Sequence, residues 1–360
     1  MPTLQRPGRM ETIAAHREAG GGIAAVLPIH YPRALLRAFD LLPVEVWGPP
    51  GADQAAGEGR LQAYTCSIVH RALAFVRSGG LDLAQVIVAP HACDSLQGLA
   101  SLLLDFCPPR PPVLPLYLPR GNRRADHLFL ADELRSLGQQ LRRLLNRCPD
   151  DETLHRCIDR EAEADELLGE LLRRRPALGA SNRRFYELLR LREYLPAERF
   201  AAQARALIER PEGELSNGPR LLLAGIVPEP MALLDLLDEL GVVVVADDMA
   251  SIGRRLYPPG SDGDPYLRMA ERLLGGPPDP TRGCAVGQRV DHLVTLARAS
   301  GDRAVLFFEV KFCEPEQVYL PLTRRALEEA GLPSLVVEVD IGEDLPGQLV
   351  TRIEALVEMI

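Results

Sequence analysis

Short apolar runs rich in valine and isoleucine alternate with amphipathic stretches in both halves of the chain. The runs have the pattern of strands buried on both faces, and the stretches between them carry apolar residues at helical spacing. This alternation predicts an α/β fold with two Rossmann-like parallel-sheet domains, each of about four strands. The predicted strands are Ile23–Pro28, Pro43–Gly48, Val86–Pro90, Val113–Leu118, Arg220–Val227, Val242–Asp247, Ala304–Lys311 and Leu335–Asp340.

The middle of the chain, residues 124–212, has no strand pattern and is predicted to be helical. Its leucines and isoleucines recur at helical spacing among charged residues, as at Leu154, Ile158 and Leu168. We therefore predict an N-terminal α/β domain over residues 1–123, a helical segment over 124–215 and a C-terminal α/β domain over 216–360.

Composition and charge narrow the class of protein. The 360 residues are 46% hydrophobic and 25% charged, with a net charge of −9, which argues against a nucleic-acid partner. No apolar run reaches the roughly 18 residues of a membrane helix, and no signal sequence is evident, so we expect a cytoplasmic protein without a membrane partner. The seven cysteines are scattered, which is typical of buried thiols or metal ligands in a reducing compartment.

Several common catalytic motifs are absent from the sequence. There is no G-x-G-x-x-G after the first predicted strand, no G-x-x-x-x-G-K-[ST] and no G-x-S-x-G. Binding of a nicotinamide cofactor, ATP hydrolysis and serine-hydrolase chemistry therefore lack their usual signals.

Three cysteines lie where a strand or loop turns into a predicted helix: Cys66, Cys93 and Cys313. Ligands gather at such places in open α/β sheets, and a helix N-terminus favours the thiolate by lowering its pKa. Three converging thiolates can bind an iron–sulfur cluster or zinc, although the wide spacing does not suit a zinc ribbon. The residues alone also allow the alternative that Cys93 and Cys313 are small buried hydrophobic residues at strand ends.

Two histidines and an acidic strand end are further candidates for the site. His30 follows the first strand, and His91 precedes Cys93 by two residues, where it can serve as a fourth ligand, a proton donor or a loop residue with a local hydrogen bond. Asp247 and Asp248 end a buried strand and either orient neighbouring backbone or handle protons. The arginines at 254 and 255 suit either a phosphate-bearing ligand or a surface ion pair.

An ordered set of motifs resembles the 2-hydroxyacyl-CoA dehydratase family, which also contains the B and C subunits of benzoyl-CoA reductase. The resemblance extends from about Ile23 to the C-terminus. The motifs are His91-Ala92-Cys93-Asp94-Ser95, Ala246-Asp247-Asp248-Met249, Val310-Lys311-Phe312-Cys313-Glu314-Pro315, Glu338-Val339-Asp340 and Gly347-Gln348-Leu349-Val350-Thr351-Arg352-Ile353-Glu354-Ala355.

This resemblance implies a [4Fe–4S] cluster held by Cys66, Cys93 and Cys313, and an acyl-CoA substrate bound close to it. It also implies a homologous partner subunit, in a heterodimer or a homodimer, and a separate ATP-dependent iron–sulfur activator that delivers a low-potential electron. The implied activity is that of a 2-hydroxyacyl-CoA dehydratase or a benzoyl-CoA reductase-type enzyme, with His30 and His91 as the catalytic candidates.

The chain departs from the family pattern after Pro32. The family often has an acid there, whereas this chain has Arg33 followed by apolar residues. Two alternatives therefore stand beside the enzyme subunit: a homodimeric iron–sulfur reductase of a small molecule outside CoA chemistry, and a non-catalytic, cluster-bearing partner or scaffold.

Overall fold

The computed structural model describes residues 7–49, 59–210, 218–301, 303–342 and 344–360. It is an α/β protein with two four-stranded parallel sheets and surrounding helices, which confirms the predicted fold class. The predicted boundary at residues 215 and 216 lies outside the described residues.

Both sheets are built from the predicted strands, and both have the same strand order. The first has the order β2-β1-β3-β4 and the second β6-β5-β7-β8, with every neighbouring pair parallel. All residues of β1, β2, β6 and β7 are buried, which is why these runs are apolar without alternation. The strands are β1 Gly22–Val26, β2 Leu41–Glu45, β3 Val86–His91, β4 Val113–Tyr117, β5 Arg220–Gly225, β6 Val243–Met249, β7 Ala304–Val310 and β8 Ser334–Val339.

Helices connect the strands and fill the predicted helical middle of the chain. Within the described residues, four further segments are single 3₁₀ turns: Arg175–Ala177, Arg190–Glu193, Gly253–Arg255 and Pro280–Arg282. The helices are α1 Arg9–Glu18, α2 Arg33–Ala38, α3 Ser67–Arg77, α4 Asp94–Asp105, α5 Arg124–Leu145, α6 Asp151–Arg173, α7 Asn182–Leu189, α8 Ala197–Ile208, α9 Ala232–Glu239, α10 Pro265–Leu274, α11 Val286–Ser300, α12 Glu314–Glu329 and α13 Gly347–Glu358.

Residue contacts divide the chain into two compact units. The first comprises residues 1–166, 191–203 and 257–276, and the second comprises residues 167–190, 204–256 and 277–360. In the first unit, one face of the first sheet packs with α2, α5 and α10 in a core that includes Val88, Leu134 and Met269. In the second, Phe307 packs with Leu293 of α11 and Leu327 of α12. Each sheet therefore has its own apolar core.

None of the helices in the described part of the chain is long and apolar enough to cross a membrane.

Candidate functional site

The strand order of the first sheet defines where a ligand would bind to the first unit. In the order β2-β1-β3-β4, β2 lies on one side of β1, and the next two strands of the chain lie on its other side. The strand order therefore reverses between β1 and β3. Val26 pairs with Val88, so the residues that follow these two strands leave the same edge of the sheet side by side. Ligands of open α/β sheets bind in the crevice at such a switch point. His30, His91 and Cys93 all lie in these two segments.

Cys66, which is buried, and Cys93, which is partly buried, form a pair of thiols at helix N-termini in the first unit. Cys66 is the N-cap residue of α3, and Cys93 is the N-cap residue of α4. Burial raises the pKa of the Cys66 thiol, and it raises that of Cys93 to about 12 with a further contribution from the charge of Cys66. Backbone amides of each first helical turn act in the opposite direction. The expected lowering of the thiol pKa is therefore wrong for both cysteines, because burial outweighs the helix N-terminus.

A raised thiol pKa has a consequence for metal binding. A metal ion binds the thiolate and displaces its proton, so these two thiols would release protons when a metal is bound. Without a metal they are protonated, and protonated buried thiols are chemically inert. The pair is therefore not suited to acting as a nucleophile, and a metal would have to displace the thiol protons in order to bind.

His30 and His91 differ in their surroundings. His30 is buried, has a left-handed φ of 58° that is uncommon outside glycine, and its Nδ1 lies 3.2 Å from the hydroxyl of Tyr257. His91 is the last residue of β3, and its ring packs edge-on against Tyr117 at a centroid distance of 4.5 Å. Its Nε2 is buried without a hydrogen-bond partner, and burial lowers its pKa, which keeps the imidazole neutral. His91 thus has an unused ring nitrogen at the switch point.

Cys313 has the same topological position in the second unit as Cys93 has in the first. It follows β7, the third strand of the second sheet in spatial order, and it is the N-cap residue of α12. The turn is sharp, because Phe312 has a left-handed φ of 61° and the amide of Cys313 donates to the carbonyl of Val310 at 3.0 Å. Cys313 is buried, with 8% of its surface exposed.

The remaining cysteines, Cys107, Cys148, Cys157 and Cys284, are also free thiols. Cys107 follows the end of α4, a helix of 12 residues and therefore about 18 Å long, whose other end carries Cys93. Across the described ranges, no group of three or more His, Cys, Asp or Glu side chains is arranged to hold a metal ion. The structure brings Cys66 and Cys93 together within the first unit, and Cys313 belongs to the second.

The acidic end of β6 has a structural role. Asp247 accepts hydrogen bonds from the Tyr186 hydroxyl and from the amides of Met249 and Gly253. Gly253 cannot carry a side chain, because a Cβ would lie 2.0 Å from the Asp247 carbonyl oxygen. Burial raises the pKa of Asp247 to about 7 against the effect of these hydrogen bonds.

Asp248 and Arg254 both form ion pairs with residues of the second unit. Arg289 donates to both carboxylate oxygens of Asp248, which lowers the pKa of that carboxyl well below its usual range. Arg254 has no exposed surface and binds Asp248, Asp279 and Glu316. Arg254 therefore forms ion pairs, but they are buried and not at the surface as expected, and its guanidinium is not free to bind a phosphate.

Sequence analysis missed Glu309, the most unusual acid of the second unit. It lies on β7, has 1% of its surface exposed, and neither carboxylate oxygen has a hydrogen-bond partner. It shares a sheet face with Val305 and Phe307, because side chains alternate along a strand. Burial first, and then the charge of Glu316, raises its pKa well above the usual value. The sequence does contain a signal for this residue, because Glu309 is a single acid inside the apolar run Phe307-Phe308-Glu309-Val310.

We expect the Glu309→Gln variant to gain stability relative to the wild type as pH rises from 5 to 8. Above about pH 4.3 the unfolded chain releases the proton of Glu309 while the folded chain retains it, so wild-type stability falls by up to about 1.4 kcal/mol per pH unit. Arg254 and Arg289 oppose the raised pKa of Glu309, and Asp248 and Glu316 reinforce it. Urea unfolding at several pH values measures the difference between the two proteins.

The matched control for this experiment is Glu338→Gln. Glu338 is the register partner of Glu309 on β8, and it is exposed and hydrogen-bonded to Gln317. Its replacement should leave the pH profile of stability unchanged. A difference between Glu309→Gln and the wild type that is constant from pH 5 to 8 would show that Glu309 is ionised in the folded protein.

The fold and the site together define a class: α/β proteins with two parallel sheets of identical strand order and a cysteine at the helix that follows the third strand of each. The model of the family described as 2-hydroxyglutaryl-CoA dehydratase, D-component, matches residues 28–360, and the chain belongs to this family.

Curated relatives are similar over nearly the whole chain. The lactoyl-CoA dehydratase subunit beta of Anaerotignum propionicum is 25% identical over 358 residues, which cover 95% of this chain and 93% of that protein. The (R)-phenyllactyl-CoA dehydratase beta subunit of Clostridium sporogenes is 25% identical over 97% of this chain and 94% of its own length. Subunit beta of (R)-2-hydroxyglutaryl-CoA dehydratase from Acidaminococcus fermentans is 22% identical, with coverages of 97% and 95%.

Proposed function

We propose that the chain is an iron–sulfur subunit of a 2-hydroxyacyl-CoA dehydratase. The observation that carries the proposal is the placement of Cys66, Cys93 and Cys313 at helix N-termini in a chain of this family. The three relatives are named as beta subunits of dehydratases whose substrates are all 2-hydroxyacyl-CoA thioesters. The overall reaction removes the 2-hydroxyl group and a hydrogen from C3 as water and leaves an unsaturated thioester.

The proposed cofactor is a [4Fe–4S] cluster bound by the thiolates of Cys66, Cys93 and Cys313. Three thiolates fit this group chemically, because they are its usual ligands and leave one iron with an open position. When bound, such a cluster supplies a Lewis acid and a relay for one electron. Cys66 and Cys313 are buried and Cys93 is partly buried, so the three thiols have little contact with solvent, and that supports the proposal.

The roles proposed for His30 and His91 concern the substrate. Both lie at the crevice edge of the first sheet, where an acyl-CoA would bind to this unit. His91, neutral and with a free Nε2, can accept a hydrogen bond or a proton from the substrate. His30 is held at Nδ1 by Tyr257, which fixes the ring orientation.

One observation favours a second candidate function, a non-catalytic subunit that relays electrons. The first turn of α2 has no acid, and Arg33 donates to the carboxylate of Glu45 at 2.6 Å and to the hydroxyl of Tyr31 at 2.9 Å. Arg33, the residue after Pro32, is therefore a cation whose side chain is already bound in an internal ion pair. If the partner subunit supplies the acid, the substrate pocket would belong to that subunit.

We expect no turnover by the purified chain alone. It should require a homologous partner subunit and an ATP-dependent iron–sulfur activator, because the sequence has no nucleotide-binding loop through which ATP hydrolysis could drive the transfer of a low-potential electron. The measurement is an anaerobic assay with lactoyl-CoA, phenyllactyl-CoA, 2-hydroxyglutaryl-CoA and benzoyl-CoA under a strong reductant, with and without partner and activator.

The outcomes of this assay distinguish a dehydratase subunit from a reductase-type subunit and from a self-sufficient reductase. Dehydration that appears only with partner and activator supports the dehydratase subunit. Reduction of benzoyl-CoA under the same conditions would assign the reductase-type activity instead. Sustained turnover by the chain alone would contradict the proposal and favour a self-sufficient homodimeric reductase.

A further inference from the structure

Arg254 connects three elements of the second unit at the carboxyl edge of its sheet. It lies in the 3₁₀ turn Gly253–Arg255 that follows β6, and none of its surface is exposed. Its Nη2 donates to the carbonyl of Gly225 at the end of β5, and its Nε donates to the carbonyl of Asp248 at the end of β6, both at 2.9 Å. Gly225 cannot be replaced easily, because its φ is 143° and a Cβ would lie 2.1 Å from the Phe308 carbonyl oxygen.

The third element is the start of α12. Glu316 is the third residue of this helix, and Arg254 donates to its two carboxylate oxygens at 2.5 Å and 3.0 Å. A bidentate pair of this kind fixes direction as well as distance. Since Cys313 is the N-cap residue of α12 and Glu316 lies one helical turn later, the ion pair holds the segment that carries the sulfur.

Among the surrounding acids, Asp279 also accepts a hydrogen bond from Nη1 of Arg254, but at 3.3 Å, longer than the contact of the same atom with Glu316. Arg289 occupies both oxygens of Asp248, so that acid does not compete for the Nη atoms of Arg254. Glu309 lies on the neighbouring strand and is unpaired. If Glu309 is neutral, it does not attract the guanidinium either.

We infer that Arg254 is a positioning residue that sets the location of the Cys313 sulfur by fixing the first turn of α12 against the ends of β5 and β6. The inference deepens the proposed function and rests on it in one respect, the role of Cys313 as a cluster ligand. Lysine cannot replace arginine here, because one ammonium group cannot reach two backbone carbonyls and both carboxylate oxygens in the same geometry.

The experiment compares Arg254→Met and Arg254→Lys with Arg175→Met. Arg175 is another buried arginine of the same unit, but it binds Asn182 and lies over the ring of Phe185 on α7. The first measurement is the alkylation rate of each cysteine in the cluster-free protein, determined by mass spectrometry, with Cys66 as the internal reference. The second is the electron paramagnetic resonance spectrum and midpoint potential of the reconstituted, reduced protein.

We expect Arg254→Met to increase the alkylation rate of Cys313 relative to Cys66 on the order of 10-fold, because the first turn of α12 would open more readily. The same variant should change the spectrum and the midpoint potential. In Arg254→Lys both should lie between the values of Arg254→Met and those of the wild type. Arg175→Met should lower stability without changing either reading. Circular dichroism confirms that each variant is folded, and Glu316→Gln tests the same contact should Arg254→Met not fold.

Two results would overturn the inference. One is an unchanged Cys313 rate and an unchanged spectrum in folded Arg254 or Glu316 variants. The other is an equal change in Arg175→Met, which would show general loosening of the unit. A wild-type protein that takes up no iron would contradict the proposed cluster, whereas the alkylation rates would still decide the role of Arg254.

Discussion

Replacing Cys93 by serine is expected to abolish iron binding by the protein. The wild type, purified without oxygen and reconstituted, should hold about four iron atoms and four sulfides per chain as one [4Fe–4S] cluster. Serine is a poor ligand for this cluster, and the two remaining thiolates would not retain it. Cys66→Ser and Cys313→Ser should have the same effect. Iron and sulfide analysis, together with the visible absorption spectrum, measures the loss.

Cys107→Ser is the control for these three variants. Cys107 is in the first unit like Cys93, but it follows the opposite end of α4 and accepts a hydrogen bond from Arg77 at 3.5 Å. Its replacement should leave the iron content unchanged. A wild-type protein that stays colourless after reconstitution, or a Cys93→Ser variant with full iron content, would refute the proposed ligands.

Replacing Asp248 by asparagine is expected to lower the free energy of unfolding by about 3–5 kcal/mol, the typical effect of removing one partner of a buried ion pair. Asp248 is fully buried and pairs with Arg289 and Arg254, and asparagine would leave both guanidinium groups with less compensation in an environment without water. Asparagine has nearly the same shape as aspartate, so the loss of stability measures the contribution of the Asp248 charge. Urea denaturation followed by circular dichroism measures it.

The control is Asp340→Asn, at the carboxyl end of the same sheet. Asp340 lies 3.8 Å from the ammonium group of Lys311, and the two side chains are 31% and 49% exposed. An exposed pair of this kind contributes less than about 1 kcal/mol. Equal destabilisation by the two variants would mean that Asp248 stabilises the fold through its shape and not through its charge.

Local patterns predicted the elements of this protein correctly. All eight strands were predicted from apolar runs, because a parallel strand covered on both faces needs apolar side chains at consecutive positions. Near the C-terminus, Leu349, Ile353 and Leu356 recur at helical spacing, and these residues are buried in α13. The three cysteines were placed at helix starts from their position after strand or loop patterns, and each is an N-cap residue.

The sequence could not show whether burial or the helix N-terminus has the larger effect on the pKa of the thiols. A helix N-terminus is visible in the sequence, whereas the desolvation of a side chain depends on every element packed around it. For Cys66 and Cys93 the second effect is larger, and the direction of the pKa shift was therefore predicted wrongly.

The sequence by itself determined the fold class, the order of the elements and the positions of the cysteines, because these follow from periodicity and from neighbours in the chain. Only the tertiary structure decided the partners of the buried charges. Arg254 and Glu316 are 62 residues apart, and Arg289 and Asp248 are 41 apart, yet each pair is in direct contact. No local pattern encodes such pairs, since their stability depends on exclusion of water by a core that forms only when the sheet and its helices pack together.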